Sequence, residues 1–240
     1  MSFLHKICEN KWALRSLFSS IIFNLKVLPL KQAIKLPILF YRPHFIQIKG
    51  KVKIEGPVTP GMIKLGLNRV PIFHNNGLIF ENHGIIKFKG KASIGNNSAI
   101  SVGENGILEI GNNFNATSGL KIVCFNNIRL EEDVLIGWNC MLLDTDFHTI
   151  RLPDGNCSKG FGPIFIGHNT WISNGCKIYK NVSIPHHCVV GADTILHKPF
   201  ESEPYSLICN NRNISIKATN ISYNSDNDMI VYPNINDHEA

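Results

Sequence analysis

An aliphatic residue recurs at every sixth position between residues 166 and 196, and this period constrains the fold more than any other feature. Its members are Ile166, Ile172, Ile178, Ile184, Val190 and Leu196. Small or β-branched residues follow the first five at an offset of four: Thr170, Cys176, Val182, Cys188 and Thr194. Neither a helix nor an alternating strand has a period of six, whereas a parallel β-helix built from hexapeptides does. The chain is therefore predicted to be all-β, with a hexapeptide-repeat solenoid.

Fragments of the same period occur upstream, interrupted by slips in register. They are Ile94 with Ile100, and Leu130 with Ile136 and Leu142, with slips at Val102 and Ile110. Because one repeat cannot bury its own apolar face, the fragments are predicted to stack into one solenoid. We expect a helical segment at 1–45, the β-helix at 46–205, an excursion loop at about 144–163 and a polar extension at 206–240.

Composition fits a coil with many corners. The chain is 44% hydrophobic but only 18% charged, and Asn and Gly cluster between the short apolar segments. Both residues tolerate the left-handed backbone angles that tight corners need. The seven cysteines form no C-x-x-C pair, and Cys140, Cys176 and Cys188 fall where the repeat places small core residues. We interpret them as reduced core residues of a cytoplasmic protein.

The N-terminal segment mixes apolar runs with Lys and Arg. No uncharged apolar stretch reaches the roughly 18–20 residues needed to span a bilayer. Two interpretations stay open: helices that pack on the solenoid, or a basic amphipathic anchor in peripheral contact with the cytoplasmic face of an anionic membrane. Nucleic acid is not an expected partner, because no basic patch is interleaved with aromatic residues.

The non-repeating stretch DTDFHTIRLPDGNCSKGFGP separates two blocks of repeats, and long loops of this kind are usually functional. If the segment is extended, Asp144, Asp146 and His148 share one face. A carboxylate beside an imidazole orients the ring and stabilises its protonated form. The three residues are thus candidates for a general base and its orienting groups.

Three stretches resemble the hexapeptide-repeat acyltransferases, specifically the branch that O-acetylates bacterial surface sugars. They are LIGWNCMLLDTDFHTI, then GPIFIGHNTWISNGCKIYKNVSIPHHCVVGADTIL, and more loosely AIKLPILF with GMIKLG and IIKFKGKASIG. The resemblance covers most of residues 30–200. It implies a left-handed β-helix, a homotrimer, acyl-CoA bound between subunits and a catalytic histidine on the excursion loop, which corresponds to His148.

The resemblance also implies a coenzyme A site. Trp171 corresponds to the family's tryptophan beside the coenzyme, and Gly191 with Ala192 matches its VGA turn. Ser173 stands where the family has glycine. The family's cationic element near the end is replaced here, so Arg212 and Lys217 are the candidates to meet the coenzyme phosphates.

The remaining histidines admit other interpretations. His186 and His187 are adjacent, so in a strand they would point to opposite faces and could not easily share a metal; His168 lies in the same block. Hexapeptide-fold carbonic anhydrases hold a metal with three histidines, which keeps a metal hydratase as an alternative. Surface or corner histidines are the simpler reading, and no metal is expected. His74 and His83 are weaker candidates for shaping an acceptor site.

The sequence as a whole predicts an enzyme that transfers acetyl from acetyl-CoA to a hydroxyl or amine of a sugar, a sugar nucleotide or a lipid-linked sugar in surface-polysaccharide biosynthesis. A serine-type O-acetyltransferase and a non-catalytic trimeric scaffold are further alternatives. No acyl-enzyme is expected, because the cysteines occupy core-like positions.

Overall fold

The computed structural model describes residues 11–149, 151, 156, 158–211 and 213–220. Within these residues, helices α1 (Lys11–Val27) and α2 (Leu30–Ala33) precede 22 short strands. No helix in these ranges is long and apolar enough to cross a membrane. The strands form three sheets, and the chain visits the sheets in rotation, so the coils stack into a left-handed parallel β-helix.

The first sheet contains β1 (Ile38–Phe40), β4 (Ile63–Leu67), β7 (Ala92–Gly95), β10 (Phe114–Ala116), β13 (Leu135–Ile136), β16 (Trp171–Ile172), β19 (Val189–Val190), β21 (Leu207–Asn211) and β22 (Asn213–Ala218). The second sheet contains β2 (Pro43–Ile48), β5 (Leu78–Asn82), β8 (Ser98–Val102), β11 (Lys121–Cys124), β14 (Met141–Leu143), β17 (Lys177–Tyr179) and β20 (Ile195–Leu196). The third sheet contains β3 (Lys51–Ile54), β6 (Ile85–Phe88), β9 (Ile107–Ile110), β12 (Asn127–Leu130), β15 (Ile164–Ile166) and β18 (Ser183–Ile184). Pairing is parallel throughout except between β21 and β22, which are antiparallel.

The structure confirms the predicted hexapeptide repeat at each of its core positions. All six aliphatic positions from Ile166 to Leu196 are buried, as are the five small or β-branched positions between them. Ile172 pairs with Val190 and Ile178 with Leu196, so each apolar residue stacks on its equivalent in the next coil. The core is therefore one continuous apolar column that runs along the inside of the coils.

Asparagine forms many of the corners, as the composition predicts. Asn97, Asn113, Asn139, Asn169 and Asn181 all have φ between +54° and +64°. Longer strands upstream, such as β8, and the corner formed by residues 103–106 account for the slips in register. The first coil begins at Ile38, upstream of the predicted boundary at residue 46, because β1 already pairs with β4.

The described cysteines are free thiols. Cys124, Cys140, Cys176 and Cys188 are buried in the core and Cys209 is half-buried. Burial raises the pKa of the Cys124 and Cys188 thiols above the ordinary value. For Cys124 and Cys188, a thiol that burial keeps neutral is a poor nucleophile, which agrees with their interpretation as core residues.

Candidate functional site

The excursion loop leaves the solenoid between β14 and β15, at the corner that joins the second sheet to the third. Its two ends form an antiparallel stem. Asp146 N–H donates to the Gly160 carbonyl at 2.7 Å, and Gly162 N–H donates to the Asp144 carbonyl at 3.0 Å. A side chain on Gly160 would approach the His148 carbonyl oxygen to 2.5 Å, so glycine permits the close stem. The stem holds the described start of the loop, including His148, beside this corner.

Asp144 is fully buried at the base of the stem. One carboxylate oxygen accepts the backbone N–H of Phe125 at 2.7 Å, and the other accepts that of Asn126 at 2.8 Å. Burial raises the pKa of the Asp144 carboxyl, while these backbone donors act in the opposite direction. Both oxygens therefore serve the corner after β11, and the prediction that Asp144 faces His148 is wrong.

Asp146 also has a partner other than His148. Its carboxylate lies 2.7 and 2.8 Å from Lys180 Nζ, at the equivalent corner of the next coil. Phe147 has φ +59° and turns the backbone between Asp146 and His148. The predicted shared face requires an extended chain, and this turn removes it. The His148 ring is exposed, and it makes no hydrogen bond with any other described residue.

Exposed aromatic rings surround the start and end of the loop. Phe147 packs on Phe125 with ring centroids 4.9 Å apart, and Lys159 Nζ lies 4.9 Å from the centre of the Phe161 ring. All three phenylalanines are exposed. The sequence reasoning missed them, although the two phenylalanines within the loop were a signal for a contact surface.

Trp171 lies on the outer side of the first sheet. It is in register with Leu135 and Val189 of the neighbouring coils, and it is half-buried. Ser173 follows it without a clash: its N–H donates to the Val190 carbonyl, and its own carbonyl accepts the Cys140 thiol. The first sheet lies across the coil from the corner that bears the loop. One chain therefore places His148 and Trp171 on different sides of the solenoid.

The other predicted coenzyme residues are less informative. Gly191 follows β19, and an added Cβ there would lie 2.6 Å from Cys209 Sγ, so packing alone explains this glycine. Ala192 is exposed. Arg212 lies outside the described residues, and Lys217 lies in β22 without a described side chain. Their roles toward the coenzyme phosphates stay predictions.

His83 belongs to a small polar group on the second sheet. Glu81 accepts from Ser101 Oγ at 2.6 Å and lies 3.2 Å from His83 Nε2. The Ser101 hydrogen bond, followed by His83, lowers the pKa of the Glu81 carboxyl against the opposing effect of burial. Because the carboxylate lies between the hydroxyl and the ring, the histidine does not contact the hydroxyl as a base for a serine nucleophile must. His74 contributes its carbonyl to Asn96.

Three histidines meet at the corner that joins the third sheet to the first. His186 and His187 lie in this corner and not in a strand, and their Nδ1 atoms are 2.8 Å apart. His168, one coil earlier, stacks on His186 with ring centroids 4.7 Å apart. The expectation that the adjacent pair points to opposite faces is therefore wrong, because His187 has φ +57° and the strand geometry does not apply.

This histidine corner has the donors for a divalent metal ion. One ring nitrogen from each of His168, His186 and His187 lies within 4.8 Å of the other two. Burial, followed by the two neighbouring rings, lowers the pKa of His187, which keeps the metal-binding neutral form at pH 7. His168 Nδ1 lies 2.8 Å from Asn169 Oδ1, a contact that leaves Nε2 as the free lone pair.

Comparison with solved structures identifies proteins that share this fold. No protein-family model matches the chain, and no curated sequence matches it. The crystal structure of the polySia-specific acetyltransferase NeuO superposes with a TM-score of 0.53 at 18% identity, over 79% of this chain and 75% of that one. At this identity the likeness establishes a common fold, the left-handed β-helix.

Weaker likenesses extend to two further O-acetyltransferases. The polysialic acid O-acetyltransferase OatWY gives a TM-score of 0.39 at 16% identity, over 82% of this chain and 93% of that one. A maltose O-acetyltransferase from Clostridium difficile 630 gives 0.40 at 14% identity, over 89% and 88%.

Proposed function

We propose that the chain is an acyltransferase that moves an acetyl group from acetyl-CoA to a sugar hydroxyl or amine, with His148 as general base. The observation that carries the proposal is the position of His148: exposed on an excursion that a hydrogen-bonded stem fixes to one corner of the solenoid. The fold shared with an acetyltransferase specific for polySia supports it. A sugar, sugar nucleotide or lipid-linked sugar of a surface polysaccharide is the proposed acceptor.

The proposed reaction is a direct transfer. The His148 ring takes the proton of the acceptor hydroxyl as its oxygen bonds to the thioester carbonyl carbon. Backbone N–H groups are the candidate donors for the oxyanion of the tetrahedral intermediate. The carbon–sulfur bond then breaks, and the coenzyme thiolate leaves and is protonated by the histidine. No protein nucleophile is needed, in agreement with the burial of the core cysteines.

We further propose that each site is built from two copies of the chain in a homotrimer. His148 lies at the corner between the second and third sheets, while Trp171 lies on the outer side of the first sheet. A neighbouring copy that turns its first sheet toward the loop would bring the two residues together. The exposed rings of Phe125, Phe147 and Phe161 offer apolar surface for such a contact.

A His148→Ala variant tests the base directly. We expect turnover to fall by roughly 10²–10⁴, the usual contribution of a general base, while acetyl-CoA binding measured by calorimetry is unchanged. The matched control is His197→Ala, since His197 is also exposed but lies after β20. Turnover that survives in His148→Ala would exclude this residue as the base. A folded protein that binds no acyl-CoA would exclude the acyltransferase and leave the metal hydratase and the scaffold.

The two-copy site has its own test. Coexpression of the His148→Ala and Trp171→Ala chains should restore activity that neither variant has alone, because mixed oligomers contain some sites with both native residues. Activity that stays absent in mixed oligomers would contradict the two-copy site. An acceptor panel that includes serine separates the sugar branch from a serine-type enzyme.

Metal-dependent hydration is the second candidate function, and the histidine corner favours it. His168, His186 and His187 would hold the ion, which when bound would supply an activated water. Metal analysis of the purified protein and a hydration assay after zinc loading distinguish this function from acyl transfer. We prefer acyl transfer because His148 is exposed on the excursion loop and the fold is shared with an acetyltransferase specific for polySia.

A further inference from the structure

Helix α1 attaches to the solenoid through polar side chains. Asn24 accepts from the Ile38 N–H and donates to the Ile38 carbonyl at 2.7 Å. Ser20 Oγ accepts from the Phe40 N–H at 2.8 Å, and Ser16 Oγ accepts from the Arg42 N–H at 2.9 Å. These serines and the asparagine are fully or almost fully buried. The helix thus satisfies the backbone of β1, which is the edge strand of the first sheet.

The opposite side of the helix is apolar and exposed. We call it the outer face, and its members are Leu14, Leu17, Phe18, Ile21, Ile22 and Leu25. Their spacing of three and four residues aligns them on one side of the helix. Each is between 39% and 65% exposed. Leu30 and Ile34 add two further exposed apolar side chains just downstream. A contiguous apolar stripe of this size marks an interaction surface.

Positive charge strongly predominates beside the outer face. Residues 11–54 contain nine Lys and Arg and no Asp or Glu, whereas the whole chain has 24 and 18. Helical spacing places Arg15 and Lys26 along one margin of the outer face, and both are exposed. Beside the end of α1, a groove is lined by Lys26, Lys49, Lys51 and Lys53 together with one acidic residue, Glu55, and apolar Val27 and Ile48.

We propose that the outer face rests on an anionic lipid bilayer, with α1 lying in the membrane interface. The apolar stripe would enter the boundary between headgroups and acyl chains, and the cations would meet lipid phosphates. A second copy of the chain fits the same surface poorly, because a two-fold contact would set a patch of cations against itself. This membrane contact is independent of the proposed acyl transfer.

Vesicle binding by the whole chain tests the proposal. The protein should float with vesicles of phosphatidylglycerol and phosphatidylcholine, bind pure phosphatidylcholine weakly, and lose much of its binding to the anionic vesicles at 1 M salt, where the Debye length is about 3 Å. Phe18→Ser combined with Ile22→Ser should reduce partitioning on the order of tenfold for each side chain. Lys26→Glu combined with Lys31→Glu should reduce binding to anionic vesicles alone.

The matched control is Ile72→Ser, because Ile72 is 77% exposed but lies in a corner outside α1. This variant should bind vesicles as the unchanged chain does. Circular dichroism and urea unfolding confirm that each variant is folded. Two outcomes would overturn the proposal: no binding of the folded protein to anionic vesicles, or self-association without vesicle binding that Phe18→Ser abolishes, which would assign the face to a second copy.

Discussion

Helix α1 and the coils downstream of Ile164 bury opposite kinds of side chain. In those coils, aliphatic residues point inward and stack on one another, with polar residues outside. Helix α1 turns Ser16, Ser20 and Asn24 inward and leaves most of its aliphatic residues exposed. Two apolar residues differ: Val27 is half-buried against the core, and Phe23 packs between Phe40, Phe45 and Phe80 with ring centroids 4.7–5.7 Å away.

The difference follows from the backbone hydrogen-bonding groups that each element packs against. Inside the column, most strands already have hydrogen-bond partners on both sides, with β18 and β20 as the last strands of their sheets, so apolar contact is what the interior can add. At the first coil, β1 has a partner on one side only, and its free backbone groups need donors and acceptors. The helix supplies them, and its apolar stripe is left for another partner.

The largest effect on stability should come from a cavity in the column. Ile178→Ala removes a buried side chain between Leu142 and Leu196, and we expect a loss of about 2–5 kcal/mol in the free energy of unfolding. Urea denaturation measures it. Lys177→Ala, which changes the exposed neighbour in the same strand, is the control and should change stability by less than about 0.5 kcal/mol.

Asn24→Leu should destabilise the chain by about 2 kcal/mol or more, although it adds an apolar side chain to a buried position. The substitution leaves the N–H and carbonyl of Ile38 without partners in the interior. Ile22→Ser on the outer face is the matched control, with an expected change below about 0.5 kcal/mol. If Asn24→Leu raised the free energy of unfolding, α1 would follow the same rule as the coils.

The two loop carboxylates should also contribute unequally to stability, and the difference should be smaller than in the two preceding comparisons. Asp144→Asn replaces one of two buried acceptors with a donor, and we expect a loss of about 1–3 kcal/mol. Asp146→Asn weakens a partly exposed pair with Lys180 and should cost at most about 1 kcal/mol. Thermal unfolding of both variants checks the order, and a larger loss in Asp146→Asn would reverse the roles given to the two residues.

Several sequence predictions failed for a shared reason. The placement of Asp144 and His148 on one face, and of His186 and His187 on opposite faces, assumed extended backbone. Phe147 and His187 instead have positive φ, a conformation that is uncommon in residues other than Gly and is therefore hard to anticipate from local pattern. The sequence shows that α1 is amphipathic, but it does not show which side of the helix is buried against the solenoid.

The sequence by itself determined the solenoid, its core positions from Ile166 to Leu196 and its asparagine corners, because a period of six leaves few alternatives and each match adds to the others. Only the tertiary structure decided which groups lie together across coils. Asp144 meets the N–H groups of the preceding coil, three histidines meet at one corner, and α1 turns its polar side inward. These contacts depend on stacking and on unpaired backbone groups, which no local pattern contains.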